Sequence, residues 1–217
     1  GVAPAVNVVS PIPATPPVVA PAPAATIPLD SANLPEIAFG PVQSLFGAHS
    51  DSILQGWTLV GDAHWAGDET QVDGISAGSS GSLTHLLPAA RCRISGQFSV
   101  GSAKMLGIGV LDDHQQGVMI DLQNLDSSIN VATDTGFFSH LSMQSLKPIP
   151  SQPLVTVVLT LLDKHLYAEV GGEELTPVSL PVQPTVLVLN AIPFGLVPPG
   201  VVHLTYSLPV PSPAPTH

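Results

Sequence analysis

Apolar and polar residues alternate along most of this chain with the period of two that belongs to β-strands. Residues 154–175, LVTVVLTLLDKHLYAEVGGEEL, show it most fully. The first nine are almost wholly apolar, as in a strand buried on both faces. Asp163-Lys164 breaks the run. Leu166, Ala168 and Val170 then alternate with His165, Tyr167 and Glu169. Gly171-Gly172 supplies the positive φ angles of a primed hairpin turn, and residues 173–175 begin the return. Such a meander must bury one face on a second sheet, so it predicts the middle of an all-β domain.

Residues 90–100 repeat the alternation, with Cys92, Ile94, Gly96, Phe98 and Val100 inward and Arg91, Arg93, Ser95, Gln97 and Ser99 outward. Residues 105–111 interleave Gly107 and Gly109 with Leu106, Ile108 and Val110, which predicts a close backbone approach, a curved strand or a floor beneath a concavity. Further strands are predicted around residues 63–65, 71–76, 82–86, 118–122, 128–133, 137–143 and 185–190. A last strand over 201–208 is expected to put Val202, Leu204, Tyr206 and Leu208 on one face. Residues 144–153 read as a link punctuated by Pro148, Pro150 and Pro153, and Ser50-Asp51-Ser52 as the cap of one helical turn. Phe39, Phe46 and Trp57 are expected core anchors. Strands at this spacing without a helical period mean an antiparallel two-sheet sandwich, and their number favours a jelly roll.

The ends differ from the middle. Eight prolines fall within the first 28 residues, which excludes a helix or an inner strand there. The expected organisation is an extended Pro-rich arm over 1–35, a sandwich over 36–208 and a Pro-rich tail over 209–217. Val8, Val9, Ile12, Val18, Val19 and Ile27 are candidate anchors for docking that arm on a partner, since proline lowers the entropy lost on docking. The chain starts at Gly1, and its small-residue, Pro-rich beginning is similar to the mature end of an exported bacterial chain. With few lysines and much Ser, Thr, Gly, Pro and Ala, this leads to a secreted, periplasmic or cell-surface expectation.

Charge narrows the functional classes. Five cations face sixteen acids, a net charge of -11, which repels phosphate backbones and argues against nucleic-acid binding. Every apolar run is interrupted before it reaches 18 residues, so no transmembrane segment is expected. The single cysteine, Cys92, cannot form an internal disulfide and reads as a small buried apolar residue.

Several segments together resemble the concanavalin A-like lectin/glucanase superfamily. They are QSLFGAHSDSILQGW (43–57), TQVDGI (70–75), RCRISGQFSV (91–100), GIGVLDDHQQGVMIDL (107–122) and VVLTLLDKHLYAEVGGEEL (157–175). Within that superfamily they are nearest to the laminin-G-like bacterial 3-keto-disaccharide hydrolase-type domains. The resemblance covers roughly residues 40–208 and implies a jelly-roll sandwich. Where the enzyme-like members carry an Asn-Ser-Gly segment and an Arg, this chain has Lys104-Met105-Leu106-Gly107-Ile108-Gly109.

Candidate chemistry is sparse. Asp112, Asp113 and Asp121 offer oxygen ligands of the kind Ca²⁺ takes, without the spacing of an EF-hand. Laminin-G-like domains often hold Ca²⁺ at a loop edge, so the resemblance implies the same candidates. The eight histidines show no zinc spacing. There is no G-x-S-x-G elbow, no phosphate-binding glycine loop with its lysine, and no E-x-D-x-x-E strand. No catalytic or cofactor-binding residue is therefore assigned. The primary expectation is a non-catalytic accessory subunit of an extracytoplasmic assembly, whose protein partners could be membrane-bound. The alternatives are a carbohydrate-binding lectin-like module with a glycan partner and possible Ca²⁺ dependence, and a glycoside-active enzyme.

Overall fold

The computed structural model describes residues 26–27, 37–47, 53–61, 64–68, 71–75, 81–125, 128–135, 143–150, 152–175, 177–192 and 197–211. The described residues form an all-β jelly-roll sandwich of two antiparallel sheets and contain no helix. The seven-stranded sheet runs β12 (Met143–Pro150), β11 (Ser128–Thr135), β10 (Gly117–Leu125), β9 (Met105–Leu111), β17 (Val186–Ile192), β7 (Gly81–Leu86), β4 (Trp57–Gly61). The nine-stranded sheet runs β15 (Glu173–Glu174), β14 (His165–Val170), β13 (Val155–Leu162), β8 (Arg91–Ser99), β18 (Gly200–Ser207), β6 (Gln71–Ile75), β5 (His64–Gly67). There β16 (Val178–Ser179) adds to β14 and β3 (Gln43–Ser44) to β18. A separate ribbon pairs β1 (Thr26–Ile27) with β2 (Ile37–Ala38).

Alternation decides which residues enter the core. Cys92, Ile94 and Phe98 of β8 and Leu159 and Leu161 of β13 face Leu106, Ile108, Ile120, Leu122, Leu187 and Leu189 of the other sheet, all at most 1% exposed. The predicted meander is present: Leu161 pairs with Leu166, Asp163 turns at φ 56°, and Gly171 and Gly172 turn at φ 60° and 84°. The outer face of β13 is also closed, with Val158, Thr160 and Leu162 buried. Ile37 and Phe39 pack on Leu162 beside Tyr167, and Phe39 bridges to Pro209. Phe39 therefore belongs to an outer cluster, whereas Phe46 and Trp57 lie in the main core. Trp57 donates its indole N–H to the Leu45 carbonyl at 2.9 Å.

Four local expectations change. Residues 143–150 are a strand, β12, rather than a link. It lies at the sheet edge, where Pro148 and Pro150 need no N–H on the unpaired side. In β18 the core residues are Val201 and Leu204, not Val202, because His203 at φ 51° makes a bulge and shifts the register between Val202 and Thr205. The expected cap Ser50-Asp51-Ser52 lies outside the described residues, and residues 53–56 after it form a turn rather than a helical turn, closed by Trp57 N–H to the Leu54 carbonyl at 2.9 Å. Strand β4 was not foreseen: at an edge, Leu59 and Val60 are both exposed, so WTLVG lacks alternation. Most of the strand predicted over 137–143 lies outside the described residues.

Phe98→Ala is expected to cost about 3–5 kcal/mol in chemical denaturation, the range for emptying a well-packed aromatic site. A cost below about 1 kcal/mol would place Phe98 outside the core.

Candidate functional site

The three acids suggested as metal ligands do not converge. Asp112 and Asp113 sit in the turn between β9 and β10. One Asp112 carboxylate oxygen accepts the backbone N–H groups of His114 at 2.8 Å and Gln116 at 2.9 Å, which holds the turn with Gln115 at φ 61°. Asp113 accepts the Thr185 hydroxyl at 2.6 Å. Asp121 lies within β10, opposite Gly107. Four strand residues, about 13 Å, separate it from the Gly117 end of the turn. Among the described residues no three His, Cys, Asp or Glu side chains form a group suited to a metal ion.

Asp121 belongs instead to a polar row across the outer face of the seven-stranded sheet. The register places Asp121, Gly107, Asn190 and Ser82 side by side on β10, β9, β17 and β7. The missing side chain of Gly107 is what admits Asp121, because an added Cβ would collide with the Asp121 carboxylate. Gly109 likewise lies under Met119, which clusters with Leu111 and Val188. The predicted glycine floor thus exists, and its occupants are the protein's own side chains. Ser82 donates its hydroxyl to the Asn190 side-chain carbonyl at 3.1 Å. Asp121 and Ser82 are each 3% exposed and Asn190 is half-buried, so most of the row is withdrawn from solvent.

Open polar groups occur at the mouth of the sandwich, where the two sheets end together. Ser99 ends β8, and Val100 and Gly101 follow it into the turn. Asn124 and Ile129 flank the β10–β11 hairpin, and Gln152 and Pro153 lead into β13. Together they line an open groove of about 340 Å³. Asn124 donates a side-chain N–H to the Gly101 carbonyl at 3.0 Å and so ties the two sheets together across the mouth. Gly101 turns at φ +57°, and a Cβ there would stand 2.7 Å from the Pro198 carbonyl oxygen and 2.8 Å from that of Val197. Buried Val100 and Ile129 supply an aliphatic floor. The groove therefore combines an apolar base with one hydroxyl and two carboxamides, a mixture suited to a small amphipathic ligand. Residue-level reasoning missed it because its parts come from three turns about 25 residues apart, none with a motif of its own.

The remaining candidates are placed as follows. Cys92 is inward and fully buried; burial pushes its thiol up to about 11. Val8, Val9, Ile12, Val18 and Val19 lie outside the described residues. Ile27 pairs through its backbone with Ile37.

No family model matches this chain, and no curated protein matches it. Solved structures share its fold. A carbohydrate binding module, CBM66, of Bacillus subtilis superposes with TM-score 0.56 at 11% identity, over 71% of this chain and 96% of that one. A structure described as a native glycosidic hydrolase gives 0.51 at 11% identity, over 79% and 96%. The GlcNAcα1-4Gal releasing endo-β-galactosidase of Clostridium perfringens gives 0.54 at 10% identity, over 83% and 64%. At these identities the likeness shows the jelly-roll-type sandwich alone.

The raised Cys92 pKa fixes the sign of a pH effect. The folded state holds the thiol proton to higher pH than the unfolded state, whose thiol keeps its ordinary value of 9.0. This contribution to stability is complete below pH 9 and is lost as pH rises toward about 11. Comparing denaturation midpoints from pH 8 to 11 for the native chain and Cys92→Ala checks it; the variant should fall less steeply over that window.

Proposed function

We propose that this chain is a non-catalytic carbohydrate-binding module, built on a sandwich of the concanavalin A-like kind. The observation that carries the reading is the mouth groove: carboxamides and a hydroxyl over an aliphatic floor. Sugars present that pattern in reverse, with hydroxyls around the ring edge and C–H groups on its faces. Structures of the same fold described as a carbohydrate binding module and as glycoside-cleaving enzymes support the class. The accessory-subunit reading depends mainly on arm residues that lie outside the described part of the chain, and it has less support.

The enzymatic reading would need a second carboxylate facing a shared cleft with Asp121, which is itself 3% exposed and packed over Gly107.

Affinity electrophoresis through polysaccharide gels and a glycan array test the main reading, with saturable retention by at least one glycan as the expected result. The absence of any retention would sink it. Incubating the retained glycan with the native chain and with Asp121→Asn should release no reducing ends in either case. Release by the native chain alone would make it an enzyme.

A further inference from the structure

We infer that the mouth groove selects an uncharged saccharide and that the Asn124 and Gln152 side chains hold its hydroxyls. This rests on the carbohydrate-binding reading above and specifies the ligand class and the residues.

Three observations carry it. First, none of the described residues lining the groove is ionisable, in a chain whose net charge is -11. An anionic sugar would find no cation among them and would meet the repulsion of the whole molecule, whereas a neutral sugar loses nothing. Second, Asn124 is held in place. Its bond to the Gly101 carbonyl uses one N–H, and its side-chain carbonyl keeps its capacity to accept. Gln152 and Ser99 line the same groove and bring a second carboxamide and a hydroxyl to it. Third, the volume of about 340 Å³ lies at the small end of ligand sites, which suits one or two sugar rings rather than a long chain.

The test combines charge-paired ligands with groove variants. Cellobiose, lactose and sucrose, with cellobiouronic acid and sialyllactose as charged counterparts, are titrated into the native chain by calorimetry. The neutral sugar bound most tightly is then titrated into Gln152→Ala and Asn124→Ala. The expected result is binding of at least one neutral disaccharide, at least tenfold weaker binding of the acidic counterparts, and a loss of at least tenfold in each variant. Gln152 is an exposed loop residue, so Gln152→Ala should keep the native melting temperature even if Asn124→Ala does not. Acidic sugars bound as tightly as neutral ones, or a folded Gln152→Ala bound as tightly as native, would overturn this inference and leave the carbohydrate-binding reading standing. Failure of every sugar here and on the array would overturn both.

Discussion

Burial of one apolar layer between two sheets is the constraint on which everything else in this molecule depends. Each large side chain taken fully out of water contributes about 1.5–3 kcal/mol, against about 1–2 kcal/mol of backbone entropy for every residue ordered. The balance is favourable only if strand after strand keeps the same parity, since a slip of one residue turns the whole apolar set outward. In β8, Cys92, Ile94, Gly96 and Phe98 keep it for the whole strand. In β18 the parity is kept by the bulge at His203, which changes register so that both Val201 and Leu204 face inward. The bulge is thus a consequence of the core, and it corrects the simpler alternation that would have chosen Val202.

The same constraint explains where polar chemistry survives. Both outer faces are partly closed, one by Ile37 and Phe39 over Leu162, the other by Met119 and Asp121 lying over the glycines of β9. A polar row on such a face, Asp121 to Ser82, becomes internal structure. At the mouth of the sandwich the strands stop and the two sheets are joined by turns, so polar side chains there reach solvent without breaking the core. Asn124 shows both: its N–H ties the hairpin to the Gly101 turn, and its exposed side chain lines the groove.

Electrostatics adds selectivity to this geometry. A chain with so few cations has little with which to attract an anion. The guanidinium of Arg91 stands 3.8 Å from Asp163, and Lys164 donates to the Pro181 carbonyl at 3.2 Å. Uncharged partners recognised through amides and hydroxyls are the class such a surface favours.

The sequence by itself determined the fold class, the meander with its Gly171-Gly172 turn, and the inward position of Cys92, because each depends on a local period or a local turn. It also marked Gly107 and Gly109 as places where something must come close. Only the tertiary structure decided what came close, since Asp121 and Met119 reach those glycines through strand register rather than chain proximity. It decided as well that Asp112 and Asp113 hold a turn and a threonine, apart from Asp121, which lies four residues along the extended β10. The groove was invisible for the same reason. Gly101, Asn124 and Gln152 meet only where two sheets end together, and no period along a single strand records where its neighbours stop.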